Sequence, residues 1–187
     1  QLPLITMKNN NNEFDILKNV KLLILDVDGV LTNGQIIISS NGEESKSFCV
    51  EDGTGAAIAH FANLPLAILS GRYSKSTSIR AKELNIDCCI QDVLDKKNKI
   101  LFISHEFDVP LKNIAYVGDG LVDIPVLEIV GIPISVPNAH SSVKDEACLI
   151  TKCRGGEGVL NELVEKILKS QSMYEETLLI MKNKKFN

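Results

Sequence analysis

The sequence has no apolar stretch of the roughly 18 to 20 residues that a membrane span requires. It has no export signal of charge, apolar core and small residues, and no excess of positive charge. Its net charge is −4, with lysines scattered along the chain, which argues against nucleic acid because that partner calls for a basic face. A soluble cytoplasmic protein is the expectation. Cysteine is sparse and irregular: the five (Cys49, Cys88, Cys89, Cys148 and Cys153) are an odd number without C-x-x-C pairs. That excludes a disulfide framework and a zinc knuckle, and predicts small buried apolar residues in a reducing compartment. The three histidines, His60, His105 and His140, are far apart and not at ligand spacing, so no histidine chemistry is expected. Internal repeats and a second domain boundary are also missing.

The 187 residues suffice for one domain with a sizeable core. Residues 1–12, ending in an asparagine run, read as a disordered leader, 13–170 as the folded domain, and 171–187 as a tail whose basic end from Lys182 to Lys185 is solvated. Apolar runs at 21–25, 65–69, 113–117 and 132–136 alternate with segments of helical period near 54–63, 74–84, 96–107, 121–130 and 157–169. Strand and helix in alternation predict an α/β fold, a Rossmann-like parallel sheet with helices on both faces. Ser74 is placed to cap one helix and Gly131 to end another. Val159, Leu160, Leu163, Val164, Ile167 and Leu168 form one stripe of the last domain helix, as core packing requires. Residues 35–50 break the alternation, with two β-prone arms around Asn41-Gly42, and read as a hairpin. It would project from the end of the sheet where the first strand finishes, as a flap, an oligomer contact or merely an edge hairpin.

Polar residues of complementary kinds follow the strands. Asp26 and Asp28 follow 21–25; Ser70-Gly71-Arg72 follows 65–69; Lys96 opens a helix; Gly118-Asp119-Gly120-Leu121-Val122-Asp123 follows 113–117. In open α/β sheets ligands bind at the carboxyl ends of strands. Each element alone has a bland explanation, such as a cap, a turn or a solvated lysine, but all four in this order point to hydrolysis of a phosphate monoester. That reaction needs accelerations of up to ~10²¹-fold, supplied mostly by charge and positioning. Three carboxylates at Asp26, Asp28 and Asp119 repel one another without a cation, which implies a hard ion such as Mg²⁺. Asp26 is assigned as the nucleophile forming an aspartyl-phosphate, and Asp28 as general acid and then base. Ser70, the turn amide of Gly71 and Lys96 would grip the phosphoryl oxygens. Asp119 completes the metal site, with Asp123 supporting it.

On these residues the chain resembles the haloacid dehalogenase superfamily of phosphotransferases, whose four motifs match Asp26-Val27-Asp28-Gly29-Val30-Leu31-Thr32, Ser70, Lys96 and the 118–123 segment. Within the superfamily it is similar to the phosphatases of 3-deoxy-D-manno-octulosonate 8-phosphate. That similarity runs from about Leu22 to Leu168 and includes Gly42-Glu43-Glu44-x-Lys46-x-Phe48, Asp52-Gly53, Gly71-Arg72, Arg80 and Gly155-Gly156-x-Gly158. The resemblance implies a capless domain assembled as a homotetramer, the hairpin closing a neighbouring subunit's site. It also implies a role in lipopolysaccharide precursor synthesis and Mg²⁺ held by Asp26, Asp119 and the Asp28 backbone carbonyl. Substrate contacts would come from Asp28, the loop Cys49, Val50, Glu51, Asp52 and Gly53, and from Arg72, Arg80 and Lys96. The segments 26–70 and 70–96 are too short for a large cap.

Glu51, Ala57 and Asn161 stand where that group usually has arginine. Arginine suits an anionic sugar acid, so the sugar stays open: Glu51 resembles relatives acting on nine-carbon ulosonate 9-phosphates. Gly120 replaces a second aspartate, while Asp119 and Asp123 keep the G-D-x-x-x-D form. A phosphomutase normally needs a large lid against water. A non-catalytic assembly domain would be expected to have a damaged D-x-D, and here both aspartates are intact.

Overall fold

The computed structural model describes residues 10–184. Most of the expected leader, residues 1–9, lies outside them. The next residues open a helix, α1 (Asn10–Leu17), followed by β1 (Leu22–Leu25), a wide turn over Val27–Leu31, and the strands β2 (Ile37–Ile38) and β3 (Glu44–Ser45). Then come α2 (Glu51–Phe61), β4 (Leu66–Leu69), α3 (Lys75–Glu83), β5 (Cys88–Ile90), α4 (Lys96–Glu106) and β6 (Ile114–Gly118). The chain finishes with α5 (Ile124–Leu127), β7 (Ile132–Ser135), α6 (Ser141–Glu146), β8 (Leu149–Ile150), α7 (Val159–Ser170) and α8 (Tyr174–Asn183).

Six parallel strands form one sheet in the order β5-β4-β1-β6-β7-β8. Every residue of β1, β4 and β6 is buried whatever its parity, so both faces of the sheet are covered, as an all-parallel sheet requires. After β1 the chain builds β4 and β5 on one side and then crosses to β6, β7 and β8 on the other. The reversal leaves a crevice between the ends of β1 and β6, the usual ligand position in such sheets.

The expected α7 stripe is wholly buried, packed against α2 and α1. Several details differ from the sequence expectations. Strands β5 and β8 carry too short and too exposed an apolar pattern to be read as strands. The predicted helix 121–130 is a 3₁₀ turn at Leu121–Asp123 running into the short α5. Ser74 precedes α3, but its buried hydroxyl makes no capping bond. Gly131 is there for close approach, since a Cβ would sit 2.1 Å from the Lys112 carbonyl oxygen. The five thiols are free and none lies in the fully buried core, contrary to their expected burial. The tail beyond residue 170 forms α8, packed on α2 and α7, and Lys184 lies over the Phe61 ring.

The hairpin is narrower than its sequence suggests. Only Ile37 with Ser45 and Ile38 with Glu44 pair, while Ile36, Ile37 and Ile38 stay 41%, 55% and 67% exposed.

Candidate active site

The turn after β1 is built by local bonds. The Val27 N–H donates to Asp26 Oδ1 at 2.7 Å. The Thr32 hydroxyl donates to the Val27 carbonyl and accepts the N–H groups of Gly29 and Gly34. Gly29 holds φ +85°, and a Cβ there would lie 1.9 Å from Asp119 Oδ2; only glycine meets both demands. Asn138, from the loop after β7, donates to the Gly29 carbonyl and accepts the Gly155 N–H, fastening the glycine triplet to this turn.

Across the crevice, β6 delivers Asp119 and the 3₁₀ turn delivers Asp123. Asp26, Asp119 and Asp123 each offer an oxygen, all within 4.8 Å of one another. Lys96, the buried first residue of α4, lies among them, donating to Asp26 Oδ2 at 2.7 Å, Asp123 Oδ1 at 2.7 Å and the Tyr116 hydroxyl at 3.1 Å. Burial lowers an ammonium's affinity for its proton, but Asp26 and Asp123 outweigh that and raise Lys96 above its ordinary value. Burial pushes Asp26 up to about 7 against the pull of Lys96, with Asp123 adding repulsion. Asp119 rises to about 6, chiefly by burial and then by repulsion from Asp123.

Asp123 is saturated. Its Oδ1 accepts Lys96 and, at 2.6 Å, the Tyr116 hydroxyl. Its Oδ2 accepts the N–H groups of Asp119 and Gly120, each at 3.0 Å. Asp119 and Asp26 therefore have the oxygens that could serve as ligand donors, with Asp123 behind them. One ammonium among three half-buried or buried carboxylates leaves a negative excess, and an all-oxygen donor set of this charge fits a hard divalent cation. Gly120 contributes only its N–H, so the missing second aspartate does not disturb this arrangement.

The other expected residues divide. Buried Ser70 exchanges bonds with the backbone of Arg72, and Gly71 lies beside the Lys96 stem. Asp28 accepts Lys46 from the hairpin at 2.5 Å, and Arg72 pairs with Glu44 at 2.6 Å. The helix α3 begins at Lys75, so Arg72 and Arg80 do not share a helical face, as their spacing would allow had the helix begun earlier. Arg80 donates to the Cys49 carbonyl at 2.9 Å and faces Glu83, with Gly53 nearby. Val50 is exposed, and Glu51 lies against Gly158. Asp52 is buried, accepts the Leu160 N–H at 3.0 Å and so ties α2 to the start of α7; burial raises it to about 6. Tyr116 and Asn138 were not anticipated. The signal for Tyr116 was a phenol inside an aliphatic buried strand, which demands a partner.

A profile of haloacid dehalogenase-like hydrolases matches residues 67–163. The chain is 37% identical over 159 residues, 85% of each partner, to the Escherichia coli K12 3-deoxy-D-manno-octulosonate 8-phosphate phosphatase. The chain belongs to the haloacid dehalogenase-like hydrolase family. The Salmonella typhimurium counterpart is 38% identical over the same share. Among solved structures of this family, a Moraxella catarrhalis 3-deoxy-D-manno-octulosonate 8-phosphate phosphatase, in complex with magnesium, phosphate and KDO, superposes with a TM-score of 0.88 at 36% identity. The match covers 92% of this chain and 99% of that one. The cobalt-bound Haemophilus influenzae enzyme gives 0.83 at 33% identity, covering 88% and 99%.

Proposed function

We propose that the chain is a Mg²⁺-dependent phosphatase that hydrolyses 3-deoxy-D-manno-octulosonate 8-phosphate to the sugar acid and phosphate, serving lipopolysaccharide precursor synthesis. The observation that carries this reading is the meeting of Asp26, Asp119 and Lys96 at the ends of β1 and β6 and the start of α4, in a fold shared with a relative whose structure holds magnesium, phosphate and KDO.

In this reading Asp26 attacks phosphorus, with Lys96 and the Val27 N–H orienting its carboxylate, and the P–O bond to the sugar breaks as Asp28 gives its proton to the leaving oxygen. Asp28 then takes a proton from water, whose oxygen attacks the aspartyl-phosphate; phosphate leaves and Asp26 is restored. Ser70 and the Gly71 N–H receive phosphoryl oxygens. Lys96 already directs three protons to protein acceptors, so its grip on phosphate comes by exchanging one of them, with the longest bond, to Tyr116, the most readily given up. Asp26, Asp119 and the Asp28 carbonyl would hold Mg²⁺, which would supply positive charge to offset the carboxylates and the phosphoryl oxygens.

Homotetramer assembly, with the hairpin closing a neighbour's site, is supported by the bare isoleucines 36–38 and by exposed Val50, Tyr73 and Leu94 on loops at this end of the sheet. Free thiols favour the cytoplasm. Glu51, Ala57 and Asn161 favour a second reading, a nine-carbon ulosonate 9-phosphate as substrate. Phosphate release from the two sugar acid phosphates, with Mg²⁺ and with chelator, tests both. The expected result is metal-dependent release with preference for the eight-carbon compound. Preference for the nine-carbon compound selects the second reading, and release from neither rejects the phosphatase.

Metal binding has its own signature. Asp26 and Asp119 hold protons more tightly folded than unfolded, so the stability they contribute to the metal-free chain falls as pH rises from about 4 to 7. At pH 7.5, Mg²⁺ is expected to raise the melting temperature, by about 2.7 kcal/mol of stability at a hundred times Kd. The increment shrinks toward pH 5 as protons compete. A thermal melt series with Mg²⁺ or chelator checks this, and an increment equal at both pH values contradicts it.

A further inference from the structure

The hairpin carries one carboxylate whose surroundings are those of a bound anion. Glu44 Oε2 meets the Arg72 guanidinium at 2.6 Å, and Glu44 Oε1 lies 3.7 Å from Lys46 Nζ. That second oxygen is buried and accepts no hydrogen bond, a costly arrangement for a carboxylate. The Lys46 side chain is fully covered, and its ammonium goes to Asp28. Two cations, one of them paired with the proposed acid-base residue, thus converge on a carboxylate that satisfies only one of its own oxygens. Arg72, by contrast, is half exposed, and it offers Glu44 a single donor although its fork is made for paired bonds to a carboxylate or phosphate.

We propose that Glu44 holds the place of an anionic group of the substrate: the substrate anion displaces Glu44 from Arg72 and Lys46, and Glu44 thereby sets the lower limit of KM. The inference rests on the phosphatase reading and adds to it the residue that competes with the ligand. Anion entry trades the single Arg72–Glu44 bond for a paired one and releases Lys46 from a half-made contact. Because the pair is partly solvated, it exchanges readily. The anion is either the carboxylate or the phosphoryl end of a sugar acid phosphate, and separate probes distinguish them.

The test compares the full chain with Glu44→Gln, using Glu43→Gln as the control. Glu43 is exposed on the same hairpin, where it accepts a bond from Asn41, so its loss changes net charge equally. KM and kcat are measured on the eight-carbon 8-phosphate, and dissociation constants for inorganic phosphate and the free sugar acid by calorimetry, which needs no turnover. Glu44→Gln is expected to lower KM by about two- to five-fold, the range set by a partly exposed ion pair, with the change falling on KM rather than kcat. Glu43→Gln should move it little. Tightening of the free sugar acid assigns the displaced anion as the carboxylate, and tightening of phosphate assigns it as the phosphoryl group. Unchanged or weaker binding of both by Glu44→Gln, or equal tightening by Glu43→Gln, overturns the inference. An unmodified chain that binds these anions but releases no phosphate instead counts against the phosphatase reading alone.

Discussion

Asp26→Asn is expected to cut phosphate release by about 10⁴-fold or more, the scale of losing a catalytic nucleophile, while the chain stays folded. An amide cannot form the aspartyl-phosphate and is a poor metal ligand. Stability follows a different logic. Asp26 is a buried carboxylate whose protonation burial favours, up to about 7, so replacing it with a neutral group of equal size removes a desolvation cost. Lys96 retains Asp123 and Tyr116 as acceptors. The melting temperature of the metal-free variant at pH 7.5 should therefore be no lower than that of the unmodified chain. Single-turnover phosphate release and thermal melts check the two halves, and release within tenfold of the unmodified rate would exclude Asp26 as nucleophile.

Lys96→Met should behave in the opposite way, losing activity and stability together. Methionine matches the lysine stem in length but leaves Asp26 and Asp123 buried without their cation. Breaking a buried pair by removing one partner costs about 3–5 kcal/mol. Asp123 keeps Tyr116 and two backbone donors, and Asp26 keeps the Val27 N–H, so the loss should fall most heavily on Asp26. Two consequences follow. The stability deficit grows as pH rises from 5 to 8, because an unpaired carboxylate is tolerated when protonated and costly when ionised. Adding Asp26→Asn to Lys96→Met should recover part of the deficit. Urea unfolding of the single and double variants at pH 5 and pH 8 measures both effects; a deficit independent of pH would mean that Lys96 acts through packing alone.

That these acidic residues would lie at strand ends was legible in the sequence for a local reason. Asp26 and Asp28 are fixed by one turn, as are Asp119 and Asp123 by another. Buried parallel strands advertise themselves as continuous apolar runs, as Leu22–Leu25 and Leu66–Leu69 do. The Asn41-Gly42 turn likewise announced the hairpin. Where the local pattern was weak, reading failed: β5 and β8 are short and half exposed, and Ser74 had the residue type of a cap without making the bond. Arg72 and Arg80 carry the same charge, yet their partners, Glu44 and the Cys49 carbonyl, lie 28 and 31 residues away.

The parallel α/β class, the two acidic turns and the lysine at a helix start were legible in the sequence, because each depends on backbone geometry and solvent contrast over a few neighbouring residues. Tertiary contacts set the rest: Lys96 reaches Asp26 across 70 residues, Tyr116 and two amides saturate Asp123, Asp52 ties α2 to α7, and Glu44 stands between Arg72 and Lys46. The Lys96 pairings follow from β1 and β6 being neighbours at the crossover of the sheet, while the Asp52 bond comes from α2 packing on α7 and the Glu44 contact from the hairpin meeting the loop after β4. Burial of the apolar strands brings their ends together, and the charged groups there meet partners that lie far off in the sequence.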